Sequence, residues 1–223
     1  MRIALLGNGK TGSKVLKLAE ENHQVQVFDT KHTPTFEKLK DSDVVISFLP
    51  GEAFKKIIPL LVETKLPVVT GSTGFQWPQD IEGILKEKNL AWIYGTNFSL
   101  GVVVMKQLLQ KINEMEGLFQ STSFSIHEVH HTKKMDAPSG TALSMNEWSG
   151  DKSQITSERT GDVIGYHVFT MDTGREEIKL SHEAKDRALF AEGALWAANT
   201  LITHQLESGL HSFQTVAEEQ FSL

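Results

Sequence analysis

The stretch Gly7-Asn8-Gly9-Lys10-Thr11-Gly12 limits what this chain can fold into more than any other. It follows the apolar run Arg2–Leu6 directly. It opens Thr11–Glu20, where Val15, Leu16, Leu18 and Ala19 fall at helical spacing. A G-x-G-x-x-G turn between a strand and a helix has a physical reason at each glycine. Gly7 permits the tight turn, Gly9 lets a pyrophosphate approach the backbone, and Gly12 lets the helix pack closely on the sheet. Free N–H groups at the helix start then face the phosphates, with Lys10 and Thr11 in the turn itself. A Walker A loop is excluded, because it needs four residues between its first glycine and Gly-Lys, then Ser or Thr. Asp29 ends the next strand, Val25–Phe28, where an acid can accept bonds from the adenine ribose hydroxyls. An acid there favours a cofactor without the 2′-phosphate, and Lys31 can accommodate that phosphate. The residues therefore leave NADH and NADPH both open.

The alternation continues. Val44–Leu49, Pro67–Thr70 and Leu90–Tyr94 read as further strands, with helical patterns over Ala53–Glu63 and Ile81–Lys88 between them. Pro59 is expected to bend or end the first of these helices. Near-continuous apolar strands separated by helices indicate a parallel sheet covered on both faces. Two small-residue loops follow strands in this region. Gly71-Ser72-Thr73-Gly74 follows the fourth strand, and Gly95-Thr96-Asn97-Phe98-Ser99 the fifth. Ends of parallel strands are where ligands sit in open α/β sheets. Gly71, Ser72, Thr73, Thr96, Asn97 and Phe98 are therefore candidates to approach the nicotinamide half of a dinucleotide.

After Asn97 the pattern changes. Leu100–Lys111 reads as a helix, and Glu114–Glu128 contains a strand in which Phe124 and Ile126 alternate with polar neighbours. Ser139 is placed to cap a helix through Glu147. Val163–Phe169 and Glu177–Ser181 read as antiparallel strands, and Phe190–Leu206 as a long helix that returns to the first domain. The expected fold class is α/β. A Rossmann-like dinucleotide-binding domain spans residues 1–98 and is completed by 193–223. A mixed-sheet α+β domain for substrate and oligomerisation spans 99–192. A chain of 223 residues has room for both.

The densest chemistry lies in Glu128-Val129-His130-His131-Thr132-Lys133-Lys134-Met135-Asp136-Ala137-Pro138-Ser139-Gly140-Thr141-Ala142. Histidine exchanges a proton near neutral pH, and lysine supplies a fixed positive charge. Ser139, Gly140 and Thr141 at a helix start form a plausible carboxylate nest. Together they suit a small anionic substrate that must be protonated during reaction. A metal site is disfavoured, because adjacent residues on a strand point to opposite faces and no third ligand is evident, Glu128 and Asp136 reading as structural partners rather than ligands. With 0 Cys, disulfides, zinc–thiolate sites, iron–sulfur clusters and cysteine nucleophiles are excluded. A net charge of −6 argues against a nucleic-acid partner. No apolar run approaches the length of a membrane span, and the N-terminus reads as a strand rather than a signal peptide. A cytoplasmic protein is expected.

The run His130-His131 through Lys134, Asp136, Pro138, Ser139, Gly140, Thr141 and Ala142 resembles the signature of the dihydrodipicolinate reductase family, H-H-x-x-K-x-D-x-P-S-G-T-A, without a gap. The resemblance extends to Gly9–Gly12, Gly71–Gly74, Asn97–Val102, Arg159–His167 and Arg187–Ala194, and so through nearly the whole chain. It implies a cyclic dicarboxylate substrate of the diaminopimelate and lysine route. NADH or NADPH supplies hydride to ring C4, and the 4-hydroxyl is lost as water. It implies His130 as catalytic acid, Lys134 as its partner, and His131, Ser139, Gly140 and Thr141 as the carboxylate pocket. It also implies a homotetramer built through the second domain. Thr11, Thr96 and Lys133 depart from residues common in the family, and the chain is shorter than many of its members. From the residues alone, two other readings fit. One is a different nicotinamide-dependent oxidoreductase acting on a small carboxylate; the other is a non-enzymatic dinucleotide sensor.

Overall fold

The computed structural model describes residues 1–204 and 206–221. The chain divides into two compact units, Met1–Ser99 with Arg187–Leu223, and Leu100–Asp186. Residues 205, 222 and 223 of the expected C-terminal completion lie outside the described residues.

The first unit is an open parallel sheet. Its strands are β1 (Arg2–Leu6), β2 (Gln24–Phe28), β3 (Val44–Ser47), β4 (Val68–Thr70), β5 (Ala91–Tyr94) and β10 (Gly209–Ser212), in the order β10-β5-β4-β3-β1-β2. Every pairing is parallel. The order reverses at β1, which lies between β2 and β3, so the carboxyl end of β1 sits at the switch point where open α/β sheets bind ligands. Its helices are α1 (Gly12–Ala19), α2 (Phe36–Leu39), α3 (Gly51–Thr64), α4 (Ile81–Lys88), α7 (Ala188–Thr203) and α8 (Phe213–Phe221). β3 and β4 are buried at every residue, as two-face coverage requires. Ala4, Leu6, Val45, Phe54, Leu61, Val68 and Trp92 share one core cluster. Each fully buried Leu or Phe there contributes about 1.5–3 kcal/mol. The buried Trp92 indole N–H donates to the Leu66 carbonyl at 3.2 Å.

Helix α3 runs straight through Pro59. The missing N–H orphans the Lys55 carbonyl, but Lys55 and Pro59 both face solvent, where water can satisfy it. α7 begins at Ala188 and ends at Thr203, short of the expected Leu206. α7 belongs wholly to the first unit, so the return begins at Arg187 rather than inside that helix. β10 and α8 were not expected.

The second unit is a four-stranded mixed sheet of β6 (Ser123–His130), β7 (Gln154–Arg159), β8 (Tyr166–Asp172) and β9 (Glu177–Glu183), in the order β7-β6-β8-β9. β6 runs parallel to β7 and antiparallel to β8, and β8 runs antiparallel to β9. α5 (Leu100–Met115), a 3₁₀ turn at Glu116–Leu118 and α6 (Gly140–Trp148) complete it. β6 alternates strictly at its start, so Phe124 and Ile126 turn inward to meet Met105, Leu109, Ala142, Met145, Phe169 and Met171. No helix among the described residues is long and apolar enough to cross a membrane.

Candidate active site

In the first unit a cleft of about 710 Å³ opens at the carboxyl ends of the strands. Gly7, Asn8, Gly9, Lys10 and Thr11 form one wall; Asp29 and Thr30, Phe48 to Pro50, and Gly71 and Thr73 form the rest. The backbone shows why glycine is needed. Gly7 has φ +94°, a left-handed conformation that side chains disfavour. A Cβ on Gly12 would lie 2.0 Å from the Gly7 carbonyl oxygen, so α1 reaches the turn only because that atom is missing. At Gly9 nothing lies within 4 Å of the position a Cβ would take, which leaves room for a phosphate against the backbone. The cradle thus fits a dinucleotide pyrophosphate.

Asp29 stands in the cleft wall with its Oδ1 accepting from the Lys31 and His32 N–H groups, both at 2.8 Å. These backbone bonds, from His32 and Lys31, hold its carboxyl below the usual range. A smaller hollow of about 170 Å³ is lined by Thr11, Phe48, Gly71, Thr73, Gly95, Thr96, Phe98 and Phe190. Ser72 and Asn97 line neither space. Ser72 is buried, with its hydroxyl 3.3 Å from that of Ser47 and its N–H donating to the Thr70 hydroxyl. Asn97 turns its side-chain oxygen back to accept from the Ser99 N–H at 2.9 Å. Phe98 is buried between Phe48 and Phe213.

In the second unit the inward face of β6 changes chemistry along its length. After Phe124 and Ile126 come Glu128 and His130, both buried. Strand register sets their neighbours: Glu128 lies opposite Ser157 on β7 and His167 on β8, while His130 lies opposite Arg159. Glu128 Oε2 accepts a short hydrogen bond from His130 Nδ1. Its Oε1 accepts from Arg159 Nη2 at 2.8 Å and from the Ser139 N–H at 3.2 Å. Burial pushes the Glu128 carboxyl up, but the bonds from Arg159, Ser157 and His130 outweigh it and hold it at about 2. Glu128 is therefore ionised throughout the useful pH range.

Ser139 is the N-cap of α6, and its Oγ accepts from the Ala142 N–H at 3.2 Å. The same hydroxyl meets His167 Nε2 at 3.2 Å. Gly140 and Thr141 form the first turn of the helix, and a Cβ on Gly140 would meet nothing within 4 Å. Lys134 pairs with Asp136 at 2.8 Å, and Arg159 also donates to the Asp136 carbonyl at 2.5 Å. The two halves of the loop are thereby tied to the sheet. His131 is half-buried, and its Nδ1 has no partner among the described residues. Burial pushes the His130 imidazole down, against the Glu128 carboxylate beside it. His167 is pushed down to about 4, by burial and then by the neighbouring His130 and His182. Sequence reasoning cast Glu128 as a structural partner, and it did not single out Arg159 or His167. Only the pairing of β6 with β7 and β8 brings them together.

Glu128, His130 and His167 offer three ligand atoms within 4.8 Å of one another. Arg159 already sits on the same carboxylate, and a guanidinium there opposes a second cation. The cluster is chemically a hydrogen-bonded acid–base network.

The comparisons with known proteins cover both units. Residues 1–98 match the family model for the N-terminus of dihydrodipicolinate reductase, and residues 101–216 the model for its C-terminus. A 4-hydroxy-tetrahydrodipicolinate reductase of Christiangramia forsetii is 33% identical over 99% of both chains. One of Xanthomonas euvesicatoria is 32% identical over 87% of this chain and 89% of its own. Among solved structures, a dipicolinate-bound dihydrodipicolinate reductase of Paenisporosarcina sp. TG-14 shares the fold. Its TM-score is 0.78 at 19% identity, over 97% of this chain and 99% of that one. With both halves matched in order and a relative aligned over 99% of both chains, the chain belongs to the dihydrodipicolinate reductase family.

Proposed function

We propose that this chain reduces 4-hydroxy-tetrahydrodipicolinate to tetrahydrodipicolinate with NAD(P)H and loss of water, in diaminopimelate and lysine biosynthesis. One observation carries the reading. The segment from His130 to Thr141 gathers an imidazole, an ammonium and a capped helix N-terminus at one end of a sheet, in a chain that also holds a dinucleotide cradle. Bound in that cradle, the nicotinamide cofactor supplies the hydride. Gly7, Gly9, Lys10, Thr11 and Gly12 hold its pyrophosphate, and Asp29 its adenine ribose. Gly71, Ser72, Thr73, Thr96, Asn97 and Phe98 shape the remainder, Ser72 and Asn97 by fixing their turns.

In the second unit the N–H groups of Gly140 and Thr141, in a turn capped by Ser139, receive a substrate carboxylate together with His131, while the Ser139 N–H is held by Glu128. Lys134, paired with Asp136, offsets negative charge on the substrate. Loss of the 4-hydroxyl with a proton from the neighbouring ring carbon, as water, conjugates the ring; hydride addition to C4 then leaves an electron pair on it, and His130 returns a proton to that pair. One proton and one hydride enter and one water leaves, so the reaction balances. We place the protein in the cytoplasm as a homotetramer assembled through the second unit. That arrangement rests on the family likeness and is checked by light scattering on the eluted protein.

The deciding assay follows cofactor oxidation at 340 nm with freshly made 4-hydroxy-tetrahydrodipicolinate, with NADH and NADPH in separate runs. The expected result is turnover that Lys134→Ala abolishes, and the ratio of kcat/KM values ranks the cofactors. Absent turnover with intact cofactor binding overturns the reading and points to another acidic substrate.

A further inference from the structure

The geometry points to Glu128 as the positioning residue of the reaction: through Nδ1 it fixes the tautomer and orientation of His130, and through the Ser139 N–H it locks that imidazole to the carboxylate nest. The inference rests on the acid role given to His130 above.

The argument starts from the cost of burying Glu128. A carboxylate with no exposed surface is expensive, and an apolar residue of similar size often serves stability as well. Here the charge has three tasks at once. Oε2 accepts the hydrogen bond from His130 Nδ1, while Oε1 is shared between Arg159 Nη2 and the Ser139 N–H. Because the carboxylate cannot donate, Nδ1 must carry its proton in both charge states of the ring. The exchangeable proton is then on Nε2. That edge faces Gly165, where a Cβ would stand only 3.1 Å from Nε2, so glycine keeps it clear.

Charge supports the geometry. The groups that face His130 are Glu128 on its own strand, Lys134 on the following loop, Arg159 on β7 and His167 on β8, with His182 on β9 beyond. Burial, Lys134 and Arg159 all disfavour the imidazolium, and Glu128 favours it. His167 is neutral near pH 7 and adds no full charge. Without the carboxylate, Arg159 is left as an uncompensated cation beside the ring. Burial already disfavours the cationic acid, and it would then be scarcer still at the pH where it must work. The same carboxylate holds the Ser139 backbone, so proton donor and nest are registered through one group. In role it resembles the acid that orients histidine in hydrolase triads.

The test combines a spectroscopic readout with kinetics. In histidine-labelled wild-type protein, long-range proton–nitrogen spectra should show neutral His130 with Nδ1 protonated and Nε2 bare. The His130 signals are assigned by their loss in His130→Gln. This measurement needs no Glu128 variant to fold. In Glu128→Gln the His130 pKa should fall by about one unit or more, so the imidazolium fraction at pH 7 drops about tenfold. The high-pH limb of the kcat profile should move down with it, while KM for the cofactor stays unchanged. Glu128→Asp keeps the charge and should bring the limb back toward wild type. A wild-type Nε2–H tautomer overturns the inference. So does a Glu128→Gln protein whose limb and His130 pKa are unmoved, even if its melting point falls. The acid reading fails separately, if His130→Gln keeps more than about a third of kcat while the tautomer is as stated. That outcome removes the catalytic weight of Glu128 and leaves its contact standing.

Discussion

The two units hold ligands by opposite means. In the first, the candidate site is backbone: a left-handed Gly7, a Gly12 pressed on the Gly7 carbonyl, and an open face at Gly9. In the second it is side chains: buried Glu128, His130 and His167 with half-buried Arg159, on three adjacent strands, joined to the cap of α6. A backbone cradle tolerates most side-chain chemistry around it but no extra atom within it. A charged network tolerates small changes of shape but not the loss of a partner. The predictions test that contrast.

The largest effect is expected at Gly12. In Gly12→Val a Cβ 2.0 Å from a backbone carbonyl has no flexible neighbour to displace, so the turn or α1 must move. Dinucleotide affinity should fall by at least about 100-fold, roughly 3 kcal/mol. The His130 titration in the second unit should be unchanged. Calorimetric titration with NADH and NADPH reads the first, and histidine NMR the second. Preserved cofactor affinity would mean that the cradle does not depend on that close approach.

Next is a pH effect confined to the network. His167 titrates at about 4 in the folded chain against an ordinary 6.5, so between those values the unfolded chain binds the extra proton. Its contribution to stability is therefore full above pH 6.5 and is lost as pH falls toward 4. The size is on the order of 3 kcal/mol. Glu128 continues the same trend at lower pH, its stabilising bonds being lost as pH falls from 4.5 toward 2. Chemical denaturation of His167→Gln and wild type at pH 7 and pH 4.5 should show a shallower pH dependence in the variant. Parallel curves would mean that His167 is not held neutral by its surroundings.

A smaller effect tests the clear edge of the imidazole. In Gly165→Ala the added carbon meets His130 Nε2 at 3.1 Å, and the ring cannot swing away without breaking its Glu128 bond. A loss in kcat of about threefold to tenfold is expected, roughly 1 kcal/mol, with cofactor KM unchanged. An unaltered kcat would show that the proton leaves along another direction.

The same contrast explains what the sequence disclosed. β1, the glycine turn and α1 are consecutive, and their signals are local: an apolar run, three glycines and a helical period. The Ser139 cap was readable for the same reason. β7 was not, because its Gln154–Arg159 sequence is mostly exposed and lacks alternation. β10 is equally silent, since Gly209–Ser212 carries little apolar signal and becomes a strand by pairing with the distant β5. Arg159 and His167 gain their meaning from cross-strand register, which no local pattern encodes. Glu128 was visible as a residue near two histidines, but its charge state depends on β7 and on the α6 cap.

The smallest predicted effect compares the two helix starts at which the ligands are expected. Both sequences place a hydroxyl at the N-cap, Thr11 before α1 and Ser139 before α6. Thr11 already has helical φ and ψ, at −86° and −44°, and its side chain caps nothing. Ser139 is extended, at −67° and 152°, and its Oγ accepts the Ala142 N–H. Only an extended N-cap turns its side chain toward the free N–H groups of the first turn. Ser139→Ala should therefore cost about 1 kcal/mol. In a chain of this size that is a fall in melting temperature of roughly 2–4 °C. Thr11→Ala, measured without cofactor, should be close to neutral. Equal losses would mean that the first unit also builds its site with a side-chain cap. Equal indifference would mean that the bond from Ser139 to His167, rather than the cap, is what the second unit uses the hydroxyl for, and His167→Gln should then reproduce the whole effect of Ser139→Ala on substrate KM.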